Sequence, residues 1–367
     1  MTKAMKRALL VFSTTSAVAL IAVALVARTA WRYGDTPSGT ATGPVAIEIP
    51  AGASAGEVAS RLHDAGLVGN PAIFRLYAGQ RGVAGRFKAG RYEILAPASP
   101  KQILDALVKG AADELVSVVV PEGKNLAEVV DLLAAAGVAG KAELMAKAMD
   151  PAFAAELGLP GNTLEGYLFP DTYRLRPHMA PARALIPMVR RHRQVFAELR
   201  AAHAKGVADL KRTLGFDDRE LVVLASIVEK ETGRGEERPR IAQVFINRLR
   251  FPTFVPKLLQ TDPTILYGCT VALPRSPACL KWDGRIRRIQ LDDRENPYNT
   301  YTHPGLPPGP ISNPGRAALE AVMAPDGTPF LYFVARNDGT HHFSKTIAEH
   351  EAAVVKYQRG GKPLGQP

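Results

Sequence analysis

The sequence predicts an α+β protein: a single N-terminal transmembrane helix, a duplicated βααβ unit, and a mainly helical C-terminal domain that ends in a β-hairpin. Three observations predict it. Ala8 to Ala27 is an uninterrupted stretch without a charge, the segment beginning at Val45 repeats itself 71 residues later, and from Asp218 a helical period gives way, after long loops, to alternation over residues 330–344.

At about 1.5 Å per residue the uncharged stretch covers about 30 Å, one bilayer core. Lys3, Lys6 and Arg7 ahead of it hold the amino end in the cytoplasm, against a weaker opposing pull from Arg28 and Arg32. The alternative is a signal peptide cleaved after Leu25-Val26-Ala27, although such apolar stretches usually run only about 7 to 15 residues. Either way the rest of the chain lies outside the cytoplasm. Residues 1–35 are then a cytoplasmic stub and anchor, and Thr36 to Pro44 is a linker. The extracytoplasmic setting argues against nucleic acid as the reason for the net charge of +11; an anionic wall polymer, acidic lipid headgroups and plain solubility remain as explanations. Cys269 and Cys279 can form a disulfide there or stay as thiols, and their spacing fits no zinc pattern.

The repeat joins Val45-Ala-Ile-Glu-Ile-Pro50-Ala-Gly52 to Val116-Ser-Val-Val-Val-Pro121-Glu-Gly123, and continues through Glu57/Glu128, Val58/Val129, Leu62/Leu133, Ala65/Ala136 and Gly66/Gly137. At an offset of 81 it resumes with Tyr92/Tyr173, Pro100/Pro181 and Leu104/Leu185. Residues 45–112 and 113–215 are therefore two copies, the second of them part of the catalytic module. Each begins with an alternating strand, stops at Pro-x-Gly, and passes through two helices to a short strand and a further helix. That order resembles a LysM-type glycan-binding module, which makes the first copy either a glycan binder or a spacer. The second copy carries a ten-residue insertion near Gly161 to Asp171, polar and aromatic, where function tends to be added to a repeated scaffold. Arg190-Arg-His-Arg193 reads as a charge run facing water on a long helix.

In residues 216–360, Asp217 or Asp218 caps a helix running to about Thr232, and Arg238 to Arg250 forms a second with Ile241, Val244, Phe245 and Leu249 at core spacing. Loops follow, containing Gln260-Thr-Asp262-Pro-Thr264 and Asn296-Pro-Tyr298-Asn299-Thr-Tyr301. Their tyrosines and amides suit sugar rings, which have apolar faces and polar rims, and suit an ordinary ordered loop equally. Phe330 to Ser344 is the hairpin, and residues 361–367 are a tail. His341, His342 and His350 lack a second cluster to complete a metal site and read as structural.

Within Leu221 to Thr232, acidic residues follow a run apolar enough to be buried. Burial disfavours a charged carboxylate and lifts a glutamate from about 4.3 towards 6 or 7, where it can donate and recover a proton near neutral pH. Helical projection does not choose between Glu229 and Glu231, which flank the apolar stripe on opposite sides.

Together, Leu164-Glu-Gly-Tyr-Leu-Phe-Pro-Asp-Thr-Tyr173, Ala225-Ser-Ile-Val-Glu-Lys-Glu-Thr232, Val244-Phe-Ile-Asn-Arg-Leu249, Leu259-Gln-Thr-Asp-Pro-Thr264 and Tyr298-Asn-Thr-Tyr301 leading into Gly305-Leu-Pro-Pro-Gly309 resemble the membrane-bound endolytic murein transglycosylase family, the YceG-like proteins. The resemblance covers nearly the whole chain, although Cys269 to Trp282 is longer than the family's pattern. It implies that Glu229 is catalytic, that no cofactor or metal is used, and that peptidoglycan glycan strands are cut at the MurNAc–GlcNAc bond with formation of 1,6-anhydro ends. It also implies that nascent strands are terminated outside an inner membrane, alongside peptidoglycan synthases. Glu165, Gln260, Asp262, Asn299 and Tyr301 are expected to position the glycan or polarise the acid. Two readings compete: a hydrolase with Glu229 as acid and Asp262 or Glu165 as base, and a non-catalytic scaffold that recruits synthases.

Overall fold

A computed structural model describes residues 32–110, 115–358 and 360. The expected membrane helix at residues 8–27 lies outside them, and no helix among the described residues is long and apolar enough to cross a membrane. The chain divides after Glu114 into two compact units.

The first unit contains β1 (Gly43–Ile49), α1 (Ala55–Asp64), α2 (Pro71–Gln80), β2 (Gly90–Ala96) and α3 (Pro100–Lys109). The second unit opens with β3 (Val116–Val119), α4 (Leu126–Ala135), α5 (Lys141–Ala148), α6 (Pro151–Glu156), β4 (Thr172–Leu175), α7 (Pro181–Ala202) and α8 (Ala204–Leu214). The likeness between the copies extends to single bonds. β1 pairs antiparallel with β2 so that Ile47 faces Tyr92, and β3 pairs with β4 so that Val118 faces Tyr173, the corresponding residues of the repeat. Ser54 and Glu57 form a capping box on α1, and Asn125 and Glu128 form one on α4, each satisfying backbone N–H groups that a helix start leaves open. Tyr92 donates its hydroxyl to the Lys88 carbonyl, as Tyr173 does to that of Phe169. The insertion near Gly161 to Asp171 forms the loop that follows α6 and leads into β4. The expected linker is not free chain: its last two residues begin β1, and the Thr40 and Ala41 N–H groups donate to the Gly66 carbonyl.

α9 (Asp218–Glu231), α10 (Arg238–Arg250), α11 (Asp262–Thr270), α12 (Pro277–Leu280), α13 (Arg288–Leu291), α14 (Arg316–Met323), the hairpin of β5 (Tyr332–Ala335) and β6 (His341–Ser344), and α15 (Ile347–Gln358) complete the second unit. Asp217 caps α9 in a capping box with Glu220, and Gly215 ends α8 at positive φ, a conformation without steric cost only for glycine. α9 packs against α10 and α14 through Leu224, Ile227, Val228, Ile241, Phe245, Leu319 and Val322, all fully buried. α7 belongs to two cores at once: Leu185, Met188 and Val189 fill that of the second repeat, while Val195, Phe196 and Leu199 enter that of the helical half.

Two expectations are corrected here. His192 does not face water with its arginine neighbours; it is buried, stacked on Phe196 and set edge-on against Tyr167, and burial pushes its imidazole down to about 4. Asp262-Pro263 is not a loop turn but the first turn of α11, where proline's missing N–H costs nothing. Cys269 and Cys279 are joined in a disulfide, which resolves the alternative left open by the sequence. His341 bonds Glu237 at 2.7 Å, and His350 stacks on Tyr332.

Candidate active site

Glu229 and Glu231 leave the last turn of α9 about 200° apart around its axis, since successive residues turn by about 100°. They enter different surroundings. The Glu229 side chain is 4% exposed. Its Oε1 accepts from Arg238 Nη2 at 2.9 Å, at the start of α10, and its Oε2 accepts from the Gly315 N–H at 2.9 Å, where α14 begins. Open N–H groups at a helix start favour a carboxylate, as does the guanidinium. Burial nevertheless outweighs both and holds the Glu229 carboxyl above its ordinary value, with Glu122 adding to the rise.

Glu122 sits in the Pro-x-Gly turn of the second repeat. The turn is tied down on two sides: the Gly123 N–H donates to the Asn313 carbonyl, and Lys230 Nζ donates to the Gly123 carbonyl at 3.1 Å. A Cβ on Gly315 would stand 2.0 Å from Glu122 Oε1, so a side chain there would push the Glu122 carboxylate out of its place.

Glu231 accepts from the Thr261 hydroxyl, and burial raises its carboxyl too, with Asp262 contributing. The expected residues Asp262 and Tyr301 gather on this side, joined by a 2.7 Å bond from the Tyr301 hydroxyl to Asp262 Oδ1. Gln260, exposed and at φ 53°, precedes them, its N–H held by the Thr300 carbonyl. Glu231, Thr261, Asp262 and Tyr301 thus form a second group, distinct from Glu229, Arg238 and Glu122.

Two of the residues expected to contact glycan are buried. Asn299 is fully buried and stitches its loop, with Nδ2 donating to the carbonyls of Gln290, Leu291 and Asp293 and Oδ1 accepting from the Tyr301 N–H. Glu165 is also shut away: both its oxygens accept from the Leu126 N–H at the start of α4, and Asn313 donates to Oε1 at 3.3 Å. Burial pushes its carboxyl up to about 8, against the lowering by the Leu126 N–H. Asn313 in turn accepts from the Leu168 N–H of the inserted loop and donates to the Lys124 carbonyl beside the Pro-x-Gly turn. Glu165 therefore braces the frame that holds Gly123 and Gly315 around Glu229. A separate cavity of about 870 Å³, lined among others by His203, Asp209, Arg250, Met323 and Thr328, lies at the C-terminal ends of α10 and α14. Glu229 is not part of its lining.

A family model described as the YceG-like family matches residues 47–356. The chain belongs to the YceG-like family. It is 32% identical over 327 residues to a Bacillus subtilis protein named endolytic murein transglycosylase, covering 85% of this chain and 84% of that one. A protein of the same name from Streptococcus pneumoniae strain D39 is 29% identical over 347 residues; the match covers 85% of this chain but 58% of the streptococcal one. The 2.6 Å crystal structure of a YceG-like protein from Listeria monocytogenes superimposes with a TM-score of 0.53 at 30% identity, covering 85% of this chain and all of that one.

Against this YceG-like background, Arg238, Gly315 and Glu122 are the neighbours of Glu229 that sequence reasoning missed. Only Glu122 left a signal, since the repeated Pro-x-Gly turn holds Ala51 in one copy and a carboxylate in the other.

Proposed function

We propose that this chain is an endolytic lytic transglycosylase that cleaves the MurNAc–GlcNAc bond inside peptidoglycan strands, with Glu229 serving first as acid and then as base. Family membership supplies the substrate class through the named relatives. One observation carries the chemistry: burial raises the Glu229 carboxyl above its ordinary value while Arg238 and the Gly315 N–H stand within 2.9 Å to stabilise the charge left when its proton is given up.

In the first step the Glu229 proton passes to the leaving oxygen, the glycosidic C–O bond breaks with its electron pair going to that oxygen, and the MurNAc ring takes on oxocarbenium character. In the second, the sugar's C6 hydroxyl gives its proton to Glu229 and closes on C1, leaving a 1,6-anhydro end. No water is consumed, so one carboxyl suffices. Gln260, Asp262 and Tyr301 are assigned to the glycan on the Glu231 side, supported by the exposure of Gln260 and Asp262 and by the aromatic face of Tyr301. The competing hydrolase needs a base beside Glu229, and both bases expected for it are engaged elsewhere, Asp262 with Tyr301 and Glu165 with Leu126.

In this reading residues 8–27 anchor the chain in the inner membrane with everything from residue 36 outside the cytoplasm, a setting the Cys269–Cys279 disulfide favours. The first unit acts as a LysM-like glycan-binding module, supported by its βααβ order, and the enzyme ends the growth of new strands beside a peptidoglycan synthase. Digestion of purified glycan strands tests the core of the reading. Mass spectrometry is expected to find anhydro ends, and Glu229→Gln to lower the rate by about 10²- to 10⁴-fold. Reducing ends, one water heavier, would establish a hydrolase instead, and undiminished cutting by the variant would remove Glu229 from the mechanism. Capture of wall proteins on the full chain that never recovers a synthase would count against the partnership.

A further inference from the structure

Arg238 stands between two carboxylates. Its Nη2 is 2.9 Å from Glu229 Oε1 and 3.9 Å from Glu122 Oε2. The guanidinium is 11% exposed, the Glu122 side chain 48%, and Arg238 Nε is buried without a hydrogen-bond partner, so few bonds resist a turn of the group. Glu122 cannot drift far, because the Gly123 N–H and carbonyl anchor its turn to Asn313 and Lys230, and its carboxyl fills the space that a side chain at 315 would need.

We propose that Glu122 is a positioning residue for the acid: Arg238 moves to Glu122 while Glu229 carries its proton and returns to Glu229 when the proton has left. The idea rests on the transglycosylase reading above and deepens it. With Glu229 protonated, Arg238 and Glu122 form a neutral pair and Glu229 is an uncharged donor. When the proton passes to the leaving sugar oxygen, a shift of about 1 Å returns Nη2 to bonding distance of the new carboxylate. Recovery of the proton from the C6 hydroxyl reverses it. Removing Glu122 would leave Arg238 wholly to Glu229 and favour the ionised acid, which cannot begin the reaction.

The other charges around Glu229 do not compete for this role. Lys230, beside it on α9, has its ammonium on the Gly123 carbonyl; Lys124 and Glu128 of the neighbouring turn and helix pair at 2.5 Å; Arg316, at the start of α14, pairs with Glu198 at 3.0 Å.

The test is the pH dependence of strand cleavage by the full chain. For Glu122→Gln the alkaline limb, which requires protonated Glu229, is expected to move down by about one pH unit, and the rate at neutral pH to fall about tenfold. Glu122→Asp keeps the charge and is expected to recover more than half of that shift. An unmoved limb in Glu122→Gln overturns the proposal. If Glu122→Gln does not fold, by circular dichroism, Glu122→Asp and Glu122→Ser decide it: equal limbs in the two overturn it, and a limb lower in the serine variant supports it. The wild type and Glu229→Gln run in parallel keep the two readings apart. Anhydro ends from the former and none from the latter uphold the transglycosylase whatever Glu122 does.

Discussion

Glu165 shows what a buried carboxyl does away from the reaction. Its value is pushed up to about 8 in the folded chain against an ordinary 4.5. Below 4.5 folded and unfolded chains both hold the proton. Between 4.5 and about 8 the unfolded chain releases it and the folded one does not, so stability from this group falls as pH rises through that window, at up to about 1.4 kcal/mol per unit. Glu165→Gln is therefore expected to flatten the pH dependence of urea midpoints between pH 5 and 8 relative to the wild type; identical slopes would contradict the assignment. Asn299→Ala removes a side chain that serves three carbonyls and should cost about 2 to 4 kcal/mol, with cleavage retained below the lowered melting point, because the side chain is fully buried. The sequence showed that an acid was buried here but not which one, since Glu229 and Glu231 are both raised by desolvation. Their difference lies in partners brought from distant positions, Arg238 and Gly315 for one and Thr261 for the other. Glu122 was read as turn punctuation, and His192 as part of a charge run. The spacing Met188, His192, Val195, Phe196 would have placed His192 on the core face.

At the level of elements, the helices with apolar stripes and capping signals were legible: Arg238–Arg250 was read to the residue, and the hairpin to within two. α15 was not, because Ala353 is its one buried residue among those described and no stripe exists to be seen. Two elements carry measurable consequences. Asn125→Ala should cost about 1 kcal/mol by undoing the cap on α4, and it should loosen the turn that carries Glu122 along with it. The Cys269–Cys279 bridge closes a loop of 10 residues, so Cys269→Ser with Cys279→Ser should cost about 2 to 3 kcal/mol in the loop-entropy account. Denaturant midpoints measure both. An unchanged midpoint for the cysteine pair would show that burial around Ile265 and Trp282 already holds that loop.

For the molecule as a whole, the repeat was legible as identities at an offset of 71, whereas the helix that joins the second copy to the helical half was not. The sequence makes residues 113–215 a second repeat that is part of the catalytic module continued by 216–360; in the structure both lie in one compact unit, and α7 lends its two ends to two cores within it. A fragment of residues 115–367 is accordingly expected to unfold in a single cooperative transition, while residues 216–367, deprived of Val195, Phe196 and Leu199, should not fold. Circular dichroism of both fragments checks this, and a folded shorter fragment would refute it. The paired turns at Pro50-Ala51-Gly52 and Pro121-Glu122-Gly123 carry the doubling of the chain into its history. Once a gene encodes the same scaffold twice, one half can keep a methyl group and go on being a shape. The other is then free to acquire a charge and be recruited to reactivity, and a comparison of the twins reads out that division of labour within a single polypeptide.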